Sequence, residues 1–330
     1  MNRRDFLGLA AGAGMLTFHT PQLFGDAMSD QRPTGFVFDP VYLDHLIATD
    51  HPESPRRLQS IMHRLNSTDW FSRLVRIPGT VDALSWVGEI HTPEHIESIK
   101  THYARTHDVV LAMVSGILSA VKHVCSGDIR NAFCATRPPG HHAMNTGQEE
   151  GFCFYNGIAI AARYAQKHYK LKNILIVDWD YHHGNGTEAA FYSDPSVLFF
   201  STHDLYAYPG TGHPERRGEG AGLGYNINVH LGCGTTDVDI LAAFENSLLP
   251  AVRNFRPDLI LISAGFDSRQ NDLLGCYDVT DAGFVKLTEM MMALADEYCN
   301  GRIVSVLEGG YNIEGNASAV MHHVRTLANL

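Results

Sequence analysis

The sequence predicts an α/β domain built on a parallel sheet, and three observations carry this prediction. Continuous apolar runs rich in β-branched and aromatic residues recur along the chain, without the alternation of half-exposed strands. Helical segments alternate with these runs, as a parallel sheet requires. No internal repeat or low-complexity linker follows residue 30. We therefore predict a single domain over residues 31–330.

Five apolar runs are predicted to be strands buried on both faces of the sheet. They begin at Asn131 (NAFCA), Asn173 (NILIV), Ser196 (SVLFF), Asp258 (DLILI) and Arg302 (RIVSVL). Because none of them alternates polar and apolar residues, we expect them in the interior of the sheet rather than at its edges.

Three further segments have the pattern of helices. Residues 110–125 are apolar almost all round and stop at Gly127, as a buried helix would. Residues 156–169 are rich in Ala and Ile. After Thr280, a predicted N-cap, apolar residues recur at helical spacing until Gly301. These apolar residues are Phe284, Leu287, Met291, Leu294 and Tyr298.

Composition and charge limit the classes of function. The chain has 330 residues, of which 45% are hydrophobic and 18% charged, which is typical of a globular protein. A formal charge of -11 argues against a large phosphate-binding surface, so we expect no nucleic-acid partner. The 6 cysteines show no CxxC motif and no regular spacing. We expect most of them to be buried thiols rather than a disulfide scaffold.

The first residues differ from the rest of the chain. Arg3 and Arg4 precede a soft apolar run over residues 7–18, which resembles a twin-arginine export signal. The run is too short to span a bilayer comfortably, so we predict no stable membrane span. We predict a signal segment at residues 1–30 and a periplasmic or exported protein. The alternative is an ordinary helical N-terminus on a cytoplasmic protein.

Each predicted strand is followed at once by a cluster of polar residues. Ligands of open parallel sheets bind outside the carboxyl ends of the strands, so the five clusters are expected at one edge of the sheet. The clusters are RPPGHH (137–142), DWDYHHGNG (178–186), STH (201–203), AGFD (264–267) and EGGYN (308–312).

The second cluster contains half of a metal site. Asp180 and His182 are two residues apart, so their side chains project to the same face of an extended segment, and Asp178 joins that face. Asp267 can supply the missing carboxylate. Three protein ligands and one open position are typical of catalytic rather than structural zinc. An imidazole ligand favours zinc or another first-row ion over magnesium.

His141 and His142 are adjacent, which suits them to general acid and base work better than to binding one ion together. Asp178 and Asn185 are candidates to orient them. A carboxylate facing one histidine and an amide facing the other would separate their two pKa values.

Tyr311 follows two glycines, which let the chain approach the metal closely. Its phenol could donate to a developing oxyanion. The alternative is a tyrosine that caps a core strand.

These motifs, with Tyr208-Pro-Gly-Thr-Gly212 and His51-Pro-Glu-Ser-Pro-Arg56, resemble the histone deacetylase family. That family includes bacterial deacetylase-like amidohydrolases and acetylpolyamine hydrolases. The resemblance runs from about Thr34 to about Asn312, with the motifs in the expected order. Asn185 and the form Ala264-Gly-Phe-Asp267 look like the class II branch. The resemblance implies an arginase-like, deacetylase-like three-layer fold, with an eight-stranded parallel sheet between helices.

The resemblance also implies roles for individual residues. His141 and His142 would be the base and acid pair, and Tyr311 the oxyanion donor. Zinc would bind to Asp180, His182 and Asp267. A narrow tunnel for the acyl-lysine stem would be lined by Gly151, Phe152 and Tyr208. Potassium, which the family commonly holds near the zinc, would bind at Asp178, Asp180, His182, Ser201 and Thr202.

Two positions depart from the family pattern. Tyr208 replaces the usual phenylalanine at the tunnel mouth, and Asp272-Leu273 replaces the usual Asp-Pro pair. Leu274 stands in the tunnel wall where polyamine-specific relatives carry a glutamate, which favours acyl-lysine in peptides or proteins as the substrate.

Three alternative functions remain open. The first is an amidohydrolase of acetylpolyamines or other small acyl-amines. The second is a two-manganese ureohydrolase, which would need more bridging carboxylates than the single DxDxH run supplies. The third is a non-catalytic protein that binds an acyl ligand or a metal.

Overall fold

Eight parallel strands form one sheet in the computed structural model, which describes residues 32–330. The predicted signal segment at residues 1–30 lies outside the described residues. The strands are β1 (Thr34–Val37), β2 (Val75–Arg76), β3 (Asn131–Cys134), β4 (Ile174–Asp178), β5 (Val197–His203), β6 (Asn226–His230), β7 (Leu259–Ala264) and β8 (Ile303–Leu307). Their order across the sheet is β2-β1-β3-β8-β7-β4-β5-β6.

The five predicted strands are confirmed and form the continuous interior of the sheet, β3-β8-β7-β4-β5. All of their residues are buried, as continuous apolar runs require. The three strands that the sequence did not indicate, β1, β2 and β6, lie outside this block. In β6 the polar residues Asn226 and Asn228 are the buried ones, so this strand carries no apolar signal.

Helices flank the sheet, and residues 32–330 form one compact unit. The helices are α1 (Arg56–Asn66), α2 (Leu84–Val87), α3 (Pro93–His102), α4 (Ala104–Ser126), α5 (Gly157–Tyr169), α6 (Asn185–Phe191), α7 (Asp237–Ala243), α8 (Leu249–Phe255), α9 (Asp281–Tyr298) and α10 (Ile313–Leu327). A π-helical turn, Phe244–Leu248, joins α7 to α8. The predicted α/β class and parallel sheet are confirmed.

The three predicted helices are also confirmed, although α4 begins at Ala104 rather than at residue 110. Helix α4 ends at Gly127, which has a φ of 84°. Asn156 caps α5 by accepting from the N–H of Ala159, and Thr280 caps α9 by accepting from Gly283. Helix α4 is long and apolar enough to cross a bilayer, but most of its apolar stretch is buried inside the domain, as in a core helix.

Most of the cysteines are free thiols, as expected, but one pair forms a disulfide that the sequence did not indicate. Cys233, before α7, and Cys276, after β7, form a disulfide with their Cα atoms 5.0 Å apart. Their separation of 43 positions in the chain hides this proximity in the sequence. Four cysteines are free, and three of these are buried; the four are Cys125, Cys134, Cys153 and Cys299.

Candidate metal centre and active site

The three predicted metal ligands meet at the carboxyl ends of two neighbouring strands. Asp180 and His182 follow β4, and Asp267 follows β7, which pairs with β4. One potential ligand atom from each residue lies within 4.8 Å of the other two. The Nδ1 atom of His182 is 3.1 Å from Oδ1 of Asp180 and 3.0 Å from Oδ2 of Asp267. The sheet thus brings together residues 85 positions apart in the chain.

The chemistry of this donor set fits a divalent cation. Both carboxylates are fully buried. Burial and the charge of Asp180 raise the pKa of Asp267 to about 7. Burial alone would lower the pKa of His182, but the two carboxylates raise it to about 10. Two buried carboxylates and one imidazole carry negative charge that a metal ion would offset, and they are ligands that catalytic zinc commonly uses.

A glycine pair lets the chain pass directly against the two carboxylates. The N–H of Gly309 donates to Oδ2 of Asp180 at 2.8 Å. A Cβ atom at position 309 would lie 2.0 Å from Oδ2 of Asp267, so a side chain does not fit there. Gly310 has a φ of 120°, which L-residues rarely adopt. The chain therefore places Tyr311 in the same cavity as His182, close to the candidate metal ligands.

The two adjacent histidines have different partners, as the sequence predicted. The Nδ1 atom of His141 lies 2.9 Å from Oδ2 of Asp178, and Nδ1 of His142 lies 2.8 Å from Oδ1 of Asn185, at the start of α6. Both partner oxygens accept, so each histidine donates from Nδ1. In a neutral imidazole this leaves Nε2 as the basic nitrogen.

These partners separate the two pKa values. Burial and the neighbouring His141 and His182 hold the pKa of His142 well below its ordinary value. Burial acts on His141 in the same direction, but Asp178 and Asp180 outweigh it and raise the pKa of His141 well above its ordinary value. At neutral pH His142 is therefore neutral and can accept a proton, whereas His141 is a buried cation.

Glu308 is a buried carboxylate that sequence reasoning named only as part of a cluster. Its Oε2 accepts from the N–H groups of Gly140 (2.6 Å) and His141 (3.2 Å), so it holds the backbone of the histidine pair. Burial raises the pKa of Glu308 to about 7. The available signal was a carboxylate placed directly after an apolar strand.

Two buried arginines complete the surroundings of the site. Arg57 donates from Nε to the carbonyl of Gly310 at 2.7 Å, and its guanidinium lies 4.9 Å from the centre of the Tyr311 ring. Arg137 forms a two-pronged ion pair with Glu53, at 2.8 and 2.7 Å. Neither arginine was predicted to have a role, because each contacts partners that lie up to 253 residues away in the chain.

A cavity of about 740 Å³ contains the predicted tunnel residues. Gly151 lies so close to His142 that a Cβ atom would be 2.3 Å from Cδ2 of that ring. Phe152 follows with a φ of 69°. Glu149 and Glu150 also line this space, and neither was predicted. The lining residues are His142, Glu149, Glu150, Gly151, Phe152, Tyr181, His182, Ala207, Tyr208, Leu274 and Tyr311.

The residues predicted to bind potassium lie at the end of β4, in β5 and in the segment that follows β4. Asp178 and Ser201 are direct partners across β4 and β5. The Oγ atom of Ser201 is 2.8 Å from Nδ1 of His203. The buried hydroxyl of Thr202 has no hydrogen-bond partner among the described residues. Asp180 and His182 follow Asp178 in the chain by two and four residues. Potassium binding at these residues stays a prediction.

Residues 51–327 match the histone deacetylase domain. The chain belongs to the histone deacetylase family. A probable deacetylase of Archaeoglobus fulgidus is 36% identical over 297 residues, which cover 86% of this chain and 82% of that protein. The crystal structure of the HDA15 HD domain has a TM-score of 0.84 and 33% identity, and covers 90% of this chain and 88% of that one.

Two eukaryotic relatives are longer than this chain. Human histone deacetylase 9 is 36% identical, but the match covers 85% of this chain and 32% of the human protein. Histone deacetylase 15 of Arabidopsis thaliana is also 36% identical, with 90% and 58% covered. The chain thus corresponds to the deacetylase domain of such proteins. It is a hydrolase of a family that acts on acetylated substrates and is generally metal-dependent.

Proposed function

We propose that the protein is a zinc-dependent deacetylase that hydrolyses the amide of acetyl-lysine. The observation that carries this proposal is the convergence of His142, His182 and Tyr311 on one cavity, with Asp180 and Asp267 directly behind His182. A base, a metal ligand set and a hydrogen-bond donor are what metal-assisted amide hydrolysis requires.

Asp180, His182 and Asp267 would hold the zinc ion. The chemistry that such an ion supplies is polarisation of the substrate carbonyl and a lowered pKa of the attacking water. Zinc is chosen because an imidazole with two carboxylates, and no cysteine, is a ligand set of catalytic rather than structural sites.

His142 is proposed as the general base, because burial and the neighbouring cationic His141 hold its pKa well below the ordinary value and keep it neutral at neutral pH. It accepts the proton of the attacking water at Nε2, since Asn185 holds Nδ1. The same histidine then returns the proton to the leaving amine. His141, held by Asp178, remains a cation beside the reacting carbonyl and stabilises the charge that develops there.

Tyr311 is proposed as the donor to the developing oxyanion. Burial raises the pKa of its phenol, so the hydroxyl stays protonated and available for donation. The guanidinium of Arg57 lies against the ring and restricts its position. This role is supported by the close approach that Gly309 and Gly310 allow.

The lining of the cavity bears on the substrate class. Phe152 and Tyr208 present ring surfaces that suit the aliphatic stem of a lysine, and Leu274 places an apolar side chain where a cationic amine would find no partner. A second candidate, an acetylpolyamine or other small acyl-amine, is favoured by Glu149 and Glu150. One carboxylate oxygen of Glu149 accepts from the N–H of Phe152, and one carboxylate oxygen of Glu150 accepts from the N–H of Met144.

The test is a substrate screen with acetyl-lysine peptides, acetylpolyamines and longer acyl-lysines, each with and without EDTA. We expect acetate release from the peptides, loss of release with EDTA and recovery with added zinc. Faster turnover of acetylpolyamines would favour the second candidate. No acetate release from any substrate would leave the non-catalytic alternative standing and contradict the proposal.

We also propose export through residues 1–30. If Arg3 and Arg4 form a twin-arginine signal, a double Lys variant keeps the protein in the cytoplasm. Fractionation of cells that express the two forms checks this. An unchanged distribution would contradict export, whereas export would place the substrate outside the cytoplasm.

A further inference from the structure

One carboxylate joins the rim of the tunnel to the segment that carries Tyr311. Asp272 lies in the loop between β7 and α9, and its two oxygens accept four backbone N–H groups. Its Oδ1 accepts from Leu274 (2.9 Å) and Gly275 (3.3 Å) in the same loop. Its Oδ2 accepts from Tyr311 (2.7 Å) and Asn312 (2.9 Å), which lie 39 and 40 residues further along the chain.

The four bonds use the full capacity of the carboxylate. An ionised carboxylate only accepts, and its two oxygens offer about four lone-pair sites. Because Asp272 accepts a pair of N–H groups on each oxygen, no other residue type of the same length could make both pairs. Asparagine would turn an NH₂ group towards one of them.

The backbone before Tyr311 has little stiffness of its own. Gly309 and Gly310 precede it, and glycine restricts the backbone least of all residues. Arg57 contacts the carbonyl of Gly310 and the ring of Tyr311. The N–H of Tyr311 is held by Asp272. Arg57 thus contacts the face of the Tyr311 ring, and Asp272 holds the backbone of the same residue.

Precision at this position matters because a misplacement of about 1 Å costs on the order of 100-fold in rate. We propose that Asp272 is a positioning residue for the hydrolysis. It holds Tyr311 at the reacting carbonyl and ties this position to the tunnel wall at Leu274. The inference rests on the proposed function, because it takes Tyr311 as the oxyanion donor. Asp272 itself does not line the cavity.

A double-mutant cycle separates positioning from general structural support. The zinc-loaded wild type, Asp272→Ala, Tyr311→Phe and the double variant are compared for kcat and KM on one acetyl-lysine peptide. Asp278→Ala is the matched control, because Asp278 is an exposed aspartate of the same loop. Asp272→Glu replaces the alanine variant if circular dichroism shows that the latter is unfolded.

We expect Asp272→Ala to lower kcat roughly 10- to 100-fold when Tyr311 is present. In the Tyr311→Phe background, Asp272→Ala should lower kcat further by at most about twofold, because the hydroxyl that Asp272 positions is already absent. KM rises in both backgrounds, since Leu274 loses its anchor. Asp278→Ala changes neither constant.

An equal loss of kcat in both backgrounds, or no loss when Tyr311 is present, would overturn the positioning role. An unchanged kcat in Tyr311→Phe alone would instead contradict the proposed function. The two failures are distinguishable because the second is measured in the single variant Tyr311→Phe, in which Asp272 is intact.

Discussion

The floor and the rim of the tunnel are built in different ways. The floor consists of His142 and His182, which line the cavity, together with the buried residues His141, Asp180 and Asp267 that contact them, and both aspartates have no exposed surface. The rim consists of Tyr208 and Leu274, which are 49% and 39% exposed. Floor residues follow strands in the interior of the sheet and contact one another, whereas rim residues lie on surface loops.

This difference separates chemistry from selectivity. Each floor residue contacts a charged or polar partner from another segment of the chain, so a change at one residue leaves a buried group without its partner. Rim residues contact solvent on one side, and their replacement costs little. We therefore expect substitutions in the floor to lower kcat and substitutions in the rim to change KM.

The largest expected effect belongs to the metal ligands. Asp267→Asn removes one of two carboxylates and should lower kcat/KM by about 1,000-fold or more, because a bound metal contributes several kcal/mol to the transition state. Asp278→Asn, a matched exposed change, should have no effect. A loss smaller than about tenfold in Asp267→Asn would show that the floor is not a metal site.

Tyr311→Phe should have the next largest effect. Loss of one oxyanion donor typically lowers turnover about 100- to 1,000-fold. The ring and its contact with Arg57 remain, so zinc affinity and KM should change little. Single-turnover kinetics measure the loss in turnover, and a zinc titration measures the zinc affinity. If kcat stays the same, the phenol has no part in the reaction.

Asn185→Asp should change the pH profile rather than the rate at high pH. A carboxylate at Nδ1 would raise the pKa of His142, which burial and the cationic His141 now hold low. The base must be neutral, so activity on the acid side is lost as pH falls through the pKa of His142. We expect this limb of kcat/KM to move about one to three units towards higher pH. An unmoved limb would exclude His142 as the base.

The smallest effects are expected at the rim. Leu274→Ala should raise KM for an acetyl-lysine peptide about threefold to tenfold with kcat unchanged, because part of one apolar side chain is lost from the wall. Tyr208→Phe removes only a hydroxyl from a half-exposed ring and serves as the control, with no change expected. A fall in kcat for Leu274→Ala would contradict the expectation that rim residues affect KM alone.

The interior of the fold was readable from sequence because burial on both faces leaves a continuous apolar run. The edge strand β6 was not readable, because Asn226 and Asn228 point inward and donate to the buried Glu188. Strand β2 has only two residues, both exposed. Such strands are identified by their pairing with neighbouring strands, and no local sequence pattern predicts them.

The candidate site divides in the same way. Asp180, His182 and the histidine pair lie in polar clusters that follow strands, so their convergence followed from the rule that strand ends share an edge. Arg57, Glu308 and Asp272 act on backbone groups of distant segments, and a backbone N–H or carbonyl has no sequence signature. The supporting contacts of the site therefore arise only in the folded chain.

The central claim is that one divalent ion is held by Asp180, His182 and Asp267. The most direct test is the metal content of the chain after zinc loading and dialysis, measured by inductively coupled plasma mass spectrometry. The account predicts one zinc ion per chain in the wild type and none in His182→Ala. Two ions per chain, or equal zinc retention by that variant, would contradict it.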